Sequence, residues 1–209
     1  LADYEFADLL DQQDKVRLLI DPTSSYAQAA ALAMGRAMDD VIISAALGTA
    51  FTGETGSTST ANANQIVHGS AGLTIAKLRT AKQTLDLGDV DPSIPRHIIV
   101  SPKQITDLLG TTEVTSSDFN TVKALANGEV NSFLGFNFIV SNRLALSSTT
   151  RSCIAFAQDG IALAVGKDVN ARIDERSDKS YATQVYYCMS IGATRMEEAK
   201  VVEVQCTES

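Results

Sequence analysis

The spacing of apolar residues along this chain changes several times, and each change predicts a different kind of element. Residues 22–47, "PTSSYAQAAALAMGRAMDDVIISAAL", are small or apolar over most of a helical circumference. The polar exceptions are Gln28, Arg36, Asp39, Asp40 and Ser44. Good helix formers fill the run, Asp21 supplies an N-cap, Pro22 suits the first helical position, and Gly48 closes the end. The pattern predicts a helix over 22–47, about 39 Å long at 1.5 Å per residue. With so little polar surface, it is expected to be covered on several sides, with Ala33 in its interior. A helix of this kind forms the axis of a domain.

Beyond it the period shortens. A loop over 48–70, rich in Gly, Thr, Ser and Asn, leads to "LTIAKLRTAKQTLDL" (73–87), an amphipathic helix with one face through Ile75, Leu78, Ala81 or Lys82, and Leu85. "HIIV" (97–100) reads as a short buried strand. Ser101-Pro102 then opens a helix in "KQITDLL" that stops at Gly110. Ser117 and Asn127-Gly128 bracket a second short helix in the same way. "FLGFNFIVS" alternates Phe136, Phe138 and Val140 as a half-buried strand, "CIAFA" (153–157) is another, and "DGIALAVG" is a short apolar element.

From 168 onward three strands are expected in antiparallel succession. Tyr181, Thr183, Val185, Tyr187, Met189 and Ile191 share one face, "ERSDKS" forms the turn, and Val202, Val204 and Cys206 line the last strand. At the other end, "KVRLLI" (15–20) reads as a strand. "DYEFADLLD" (3–11) reads as a short helix or an extended arm that packs against something outside the chain. The fold class is α+β, with a middle subdomain over about 66–165 and a second, discontinuous one built from the long helix and the C-terminal strands.

Composition narrows the function. The 209 residues suffice for a sizeable core, and a net charge of −8 argues against a broad nucleic-acid-binding surface. Cys153, Cys188 and Cys206 are far apart and odd in number, which argues against a disulfide framework or a zinc site and suits small buried hydrophobes in a reducing compartment. No secretory leader is visible, and no run of about 18 uncharged apolar residues occurs. The chain opens at Leu1 rather than Met, so a preceding segment is expected.

Candidate chemistry is thin. "GTAFTGETGSTST" (48–60) has the glycine spacing of a phosphate-binding loop, but Glu54 stands where the phosphate-neutralising lysine belongs, and the loop follows a helix instead of a strand. "VHGSAG" places His68 where a nucleophile elbow needs glycine beside Ser70. His97 reads as a strand-end residue. Asp86, Asp89 and Asp91 lack the spacing of a calcium loop and read as a solvated turn. Lys77, Arg79 and Lys82 lack interleaved aromatics and read as a solvated helix face. "RIDERSDKSY" gathers Asp174, Glu175, Arg176, Asp178 and Lys179 with Arg172 into one hairpin, a mixed-sign surface that is either solvated or an intersubunit salt-bridge surface. No catalytic, cofactor-binding or metal-ligating set is assigned, and the chain is not expected to be an enzyme.

The order of three blocks carries a resemblance. They are "DKVRLLIDPTSSYAQAAALAMGRAMDDVIISAALGTAFTGETGS", "IVSPKQITDLLGTTEVTSSDFNTVKALANGEVNSFLGFNFIVSNRL" and "GKDVNARIDERSDKSYATQVYYCMSIGATRMEE". Together, over nearly the whole chain, they resemble the major capsid proteins of tailed bacteriophages. The resemblance implies a Hong Kong 97-type fold. Residues 22–65 with 166–209 would form the peripheral domain, with a spine helix and an antiparallel sheet. Residues 66–165 would form the axial α/β domain, and 1–21 the end of an N-terminal arm or extended loop. Leu1 leaves little room for a full arm and loop. The Lys–Asn crosslink of some members finds no matching lysine, asparagine and acid.

The implied function is self-assembly through hexamers and pentamers into an icosahedral shell around double-stranded DNA, with no sequence-specific binding and no membrane. Scaffold, portal and decoration proteins are the implied partners. The implied location is the virion capsid, assembled in the cytoplasm of a host bacterium. No cofactor is implied. Candidate intersubunit contacts are Asp174, Glu175, Arg176, Asp178 and Lys179. Two other readings remain open: an encapsulin-like compartment shell of the same fold, and a small α/β hydrolase.

Overall fold

The computed structural model describes residues 1–11, 23–110 and 132–208. In chain order the elements are β1 (Ala2–Leu10), α1 (Thr23–Leu47), β2 (Ala50–Thr52), β3 (Thr58–Thr60), β4 (Gln65–Ile66), α2 (Ile75–Leu87), β5 (Arg96–Val100) and α3 (Pro102–Leu109). After them come β6 (Ser132–Phe133), β7 (Phe136–Val140), β8 (Leu146–Ser147), β9 (Thr150–Ala157), β10 (Ile161–Arg176), β11 (Ala182–Arg195) and β12 (Val201–Thr207). The chain divides into two compact units, Leu1–Ile42 with Leu163–Ala193, and Ile43–Ala162 with Thr194–Ser209. The expected strand over 15–20, the caps Asp21 and Pro22, and the helix bracketed by Ser117 and Gly128 lie outside the described residues.

The first unit sets α1 against a three-stranded sheet in the order β1-β11-β10. Residues 3–11 were expected as a helix or an arm packing outside the chain. Instead β1 pairs antiparallel with β11 from Ala2↔Ile191 to Leu10↔Thr183. Alternation explains this: Tyr4 and Phe6 turn toward Met34, Met189 and Ile191, while Asp3 and Glu5 stay exposed. On β11 the expected face is confirmed at Thr183, Val185, Met189 and Ile191, all buried. Tyr181 lies exposed in the turn before the strand.

The expected helix is present as Thr23–Leu47, but it is not covered on several sides within this chain. In the first unit burial follows one stripe through Ala30 and Met34. Ala33 is only half-buried and Leu32 is exposed. β10 departs further from a covered element, because every residue over 163–175 is exposed.

The second unit is a mixed sheet in the order β4-β12-β9-β5-β7-β6, with β8 paired to β9. β4 runs parallel to β12 and β7 parallel to β5, while β12–β9, β5–β9, β6–β7 and β8–β9 are antiparallel. Its core joins Leu78, Ala81 and Leu85 of α2 and Leu108 of α3 to Ile98, Phe136, Ile154 and Val204 of the sheet. A fully buried Leu, Ile or Phe contributes about 1.5–3 kcal/mol relative to exposure, so this cluster dominates the unit's stability.

β12 was expected to follow β11 in one meander. It lies instead between β9 and β4, with Val204 opposite Cys153. Consecutive Val201 and Val202 are both buried, as befits an interior strand covered on two faces, and a period-two reading cannot distinguish that from a half-covered one.

α1 ends within this second unit. The Gly48 amide donates to the Ser44 carbonyl at 2.8 Å, and a Cβ at Gly48 would stand 2.7 Å from that oxygen, so no other residue fits there without displacement. The buried Arg195 guanidinium donates to the carbonyls of Ala46 and Gly48 at 2.9 Å each and to that of Thr60 at 3.0 Å, and pairs with Glu198 at 2.9 Å.

A second ion pair closes the C-terminal end. Glu208 accepts from Arg151 Nε at 3.0 Å and Nη2 at 2.7 Å, from Gln104 Nε2 at 3.2 Å, and from the Ser101 hydroxyl. Ser101, expected to cap α3, therefore makes no side-chain cap bond; its hydroxyl is taken by the stronger, charged acceptor. The Arg151 hydrogen bonds, with help from Ser101 and Gln104, hold the Glu208 carboxyl at about 2 against an ordinary 4.5.

Two outcomes follow. A depressed carboxyl contributes stability that is complete above its unfolded value and is lost as pH falls from about 4.5 toward 2. Glu208→Gln should therefore remove up to about 3 kcal/mol at neutral pH and flatten the acid limb of the unfolding curve, measured by urea melts across pH. Ala30→Asp should cost several kcal/mol by burying an unpaired carboxylate, whereas Leu32→Asp should leave the melting temperature of the free subunit unchanged.

Candidate functional site

The glycine-rich stretch 48–60 is a hairpin. β2 and β3 pair antiparallel from Ala50↔Thr60 to Thr52↔Thr58, and Gly53 and Gly56 turn the chain at φ +90° and +64°. It follows a helix and opens no helix, so its amides do not converge as a phosphate cradle does. Glu54 is exposed at its tip.

The other chemical candidates are likewise occupied locally. His68 Nδ1 accepts from the Ser70 amide at 3.0 Å and lies 3.3 Å from the Thr207 hydroxyl, which makes it a turn-former. β4, before it, has two residues, and α2 starts only at Ile75, so the strand–nucleophile–helix order of an elbow is not formed. His97 stacks on Phe156 with ring centroids 5.6 Å apart. Asp86 pairs with the buried Arg96 at 2.7 Å and Asp91 accepts from the Ser93 amide at 2.8 Å. Asp86, Asp91, Lys82 and Arg96 line a cavity of about 660 Å³. Among the described residues no group of three His, Cys, Asp or Glu is placed to hold a metal ion. Nor does any described helix have the length and apolarity to cross a membrane.

Lys77 is a correction. Its expected place on a solvated face is wrong: it is buried, and its ammonium donates to the carbonyls of Ala71 at 2.7 Å, Gly72 at 2.9 Å and Gln205 at 2.9 Å. Burial pulls its pKa below the ordinary lysine value. Three backbone acceptors compensate for the lost water, so the residue ties the start of α2 to β12. Cys153 and Cys206 are buried, as expected, and contact with Cys206 together with burial pushes the Cys153 thiol up, which leaves it unreactive. Cys188 is only half-buried, and its sulfur lies 3.1 Å from the Lys167 ammonium.

The charged hairpin comes together at one tip. Asp174 and Glu175 end β10, Ser177–Lys179 form a single 3₁₀ turn, and Ser180 and Tyr181 take φ near +53° and +59° to reverse the chain. Arg176 forms an ion pair with Asp178 and reaches Gln184 Oε1 at 3.5 Å. Hydrogen bonds from Arg176 hold the Asp178 carboxyl below its ordinary range. Asp174, Glu175, Asp178 and Lys179 are all exposed. The five residues form a mixed-sign knob at the tip of the hairpin, which suits contact with another surface. Sequence reasoning missed the bareness of β10 leading into that knob, although Leu163, Val165, Val169 and Ile173 at alternate positions carried the signal.

The whole chain, residues 1–208, matches the family model described as phage capsid protein. The chain belongs to that family. Solved capsid structures share the fold of this capsid protein. A structure from Mycobacterium phage Che8 superposes with a TM-score of 0.75 at 19% identity, covering 97% of this chain and 70% of that one. The capsid structure of cyanophage P-SCSP1u gives 0.74 at 17%, covering 99% and 72%. The capsid of Ralstonia phage GP4 gives 0.73 at 10%, covering 100% and 73%. The fold is thus of the Hong Kong 97 type, as the block order implied. Among curated proteins none matches this sequence.

Proposed function

We propose that this capsid protein is the major shell subunit of a tailed bacteriophage, acting by binding copies of itself and not by catalysis. The observation that carries the reading is the family match along the chain from residue 1 to 208. Copies associate in hexamers and pentamers and close an icosahedral shell around double-stranded DNA in the virion, after assembly in the host bacterial cytoplasm. A net charge of −8 suits a container that holds DNA without gripping its phosphates. Scaffold, portal and decoration proteins are further partners. We assign the unit built on α1 and the three-stranded sheet to the peripheral role and the unit built on the seven-stranded sheet to the axial role. β1, an edge strand of that three-stranded sheet, goes with the peripheral unit and is not assigned to an arm.

Asp174, Glu175, Arg176, Asp178 and Lys179 are the intersubunit contacts in this reading. Their support is exposure at the tip of a hairpin and the pairing of charges that a second copy can also satisfy. Rim charges of this kind set specificity and salt dependence more than raw affinity, and many weak contacts suffice in a closed lattice.

Full-length protein at high concentration should form closed particles visible by negative-stain microscopy, and a chain that stays monomeric under every assembly condition would refute the shell reading. Replacing Asp174→Lys, Glu175→Lys and Arg176→Glu together should leave a folded, soluble subunit that assembles poorly, with a defect that varies with salt. Circular dichroism reads the fold and sedimentation reads the assembly. Normal assembly of this variant at low salt would remove the hairpin from the interface.

A further inference from the structure

β10 is the longest exposed run among the described residues. Leu163, Val165, Val169 and Ile173 are 41%, 51%, 37% and 49% exposed, and none of the residues between them is covered. A long strand with apolar side chains in solvent and an unpaired edge invites another strand. β10 is one edge of the three-stranded sheet, and β1 is the other. Among the described residues, each edge therefore presents a row of backbone N–H and C=O groups with no neighbouring strand.

The two edges differ in charge. β1 carries Asp3, Glu5 and Asp8 and no Lys or Arg, whereas β10 is balanced, with Lys167, Arg172 and Arg176 against Asp168, Asp174 and Glu175. They also share a direction. β1 is antiparallel to β11, and the five-residue connection over 177–181 turns β11 back against β10, so β1 and β10 run the same way. Two copies displaced sideways in the plane of this sheet then meet β1 to β10 in parallel.

We infer that the β10 edge of one subunit receives the β1 edge of a second copy, joining the three-stranded sheets of neighbouring subunits into one. This rests on the shell reading above. The ladder supplies backbone hydrogen bonds, as in strand addition generally. The carboxylates of β1 meet Lys167 and Arg172. Exposed Leu9 of β1 covers part of the apolar row. The contact is head-to-tail, because two different edges are used, and a head-to-tail contact closes into a ring when its rotation divides a full turn. A ring of subunits is what a capsomer requires.

The test separates charge from apolarity at the same positions of the full-length chain. Val165→Glu with Val169→Glu should fold and melt normally, since both sites are exposed, and should sediment as free subunits. Val165→Lys with Val169→Lys should still assemble at low salt, because the new cations face the acidic β1. Adding Asp3→Lys and Glu5→Lys to the Glu pair should restore particles. If the Glu pair lowers the melting temperature, Arg172→Glu alone repeats the test at a single exposed charge. Normal assembly of the Glu variants, an equal defect in the Lys pair, or no rescue from β1 would each overturn the inference. An unsubstituted chain that forms no particles would instead overturn the shell reading.

Discussion

The buried guanidinium of Arg195 is the fastening around which the second unit is organised. α1 runs for 25 residues and carries no basic side chain in its last turn. Its terminal carbonyls therefore lack both the partners and the positive charge that a helix C-terminus favours. Arg195 supplies both from the far end of the sequence. Its fork reaches Ala46, Gly48 and Thr60 at once, which an ammonium on a lysine stem does not match in geometry. Glu198 balances the charge and extends the network. Its carboxylate accepts from the Ala63 amide at 2.5 Å, and its backbone carbonyl accepts from Asn64 Nδ2 at 2.7 Å. The Asn64 carbonyl in turn takes the Glu203 amide at 2.8 Å. One cation thus links the helix end, the β2–β3 hairpin, the strand β4 and the interior strand β12.

Local signals were legible in the sequence and long-range ones were not. α1 is read from an unbroken run of helix formers ending in glycine, and α2, β5 and α3 from short apolar periods with clear stops. The partners of Arg195 are backbone carbonyls some 135–149 positions away, and nothing in residue type marks a carbonyl as wanting a cation. Lys77 failed for a related reason. Its spacing beside Arg79 and Lys82 suggests a wet face, but the three carbonyls that receive it belong to the turn before α2 and to β12. β12 itself was misassigned to the neighbouring sheet because a strand buried on both faces carries no alternation to show which neighbours it has. The charged tip at 174–179 was legible as a surface, and the ordered blocks made the capsid fold legible as a whole.

The two units manage water differently. In the seven-stranded sheet the interior strand β12 is buried over most of its length, and its carboxylate is held by hydrogen bonds. Glu203 accepts from Gln65 at 2.7 Å and from Ser152 at 2.7 Å. In the three-stranded sheet, β11 is paired by β1 and packs Met189 and Ile191 against Met34 of α1, but among the described residues nothing covers β10 over 163–175. The exposed side of α1, with Leu32 in solvent, belongs to the same pattern. Apolar surface left bare at particular places is a cost to the free subunit that is recovered only when another surface arrives.

The placement of β12 has a consequence in time. It is the last strand of the chain, yet it lies in the interior of its sheet, between β9 and β4. β11, almost as late, is the strand that pairs with β1 among the described residues. During synthesis, then, neither sheet can close until β11 and β12 have been made, and the strands before them wait as unpaired edges. Contacts of such large sequence separation also slow folding. The consequence is one of timing: a chain that has not yet reached β11 and β12 has neither finished sheet to offer to any other surface.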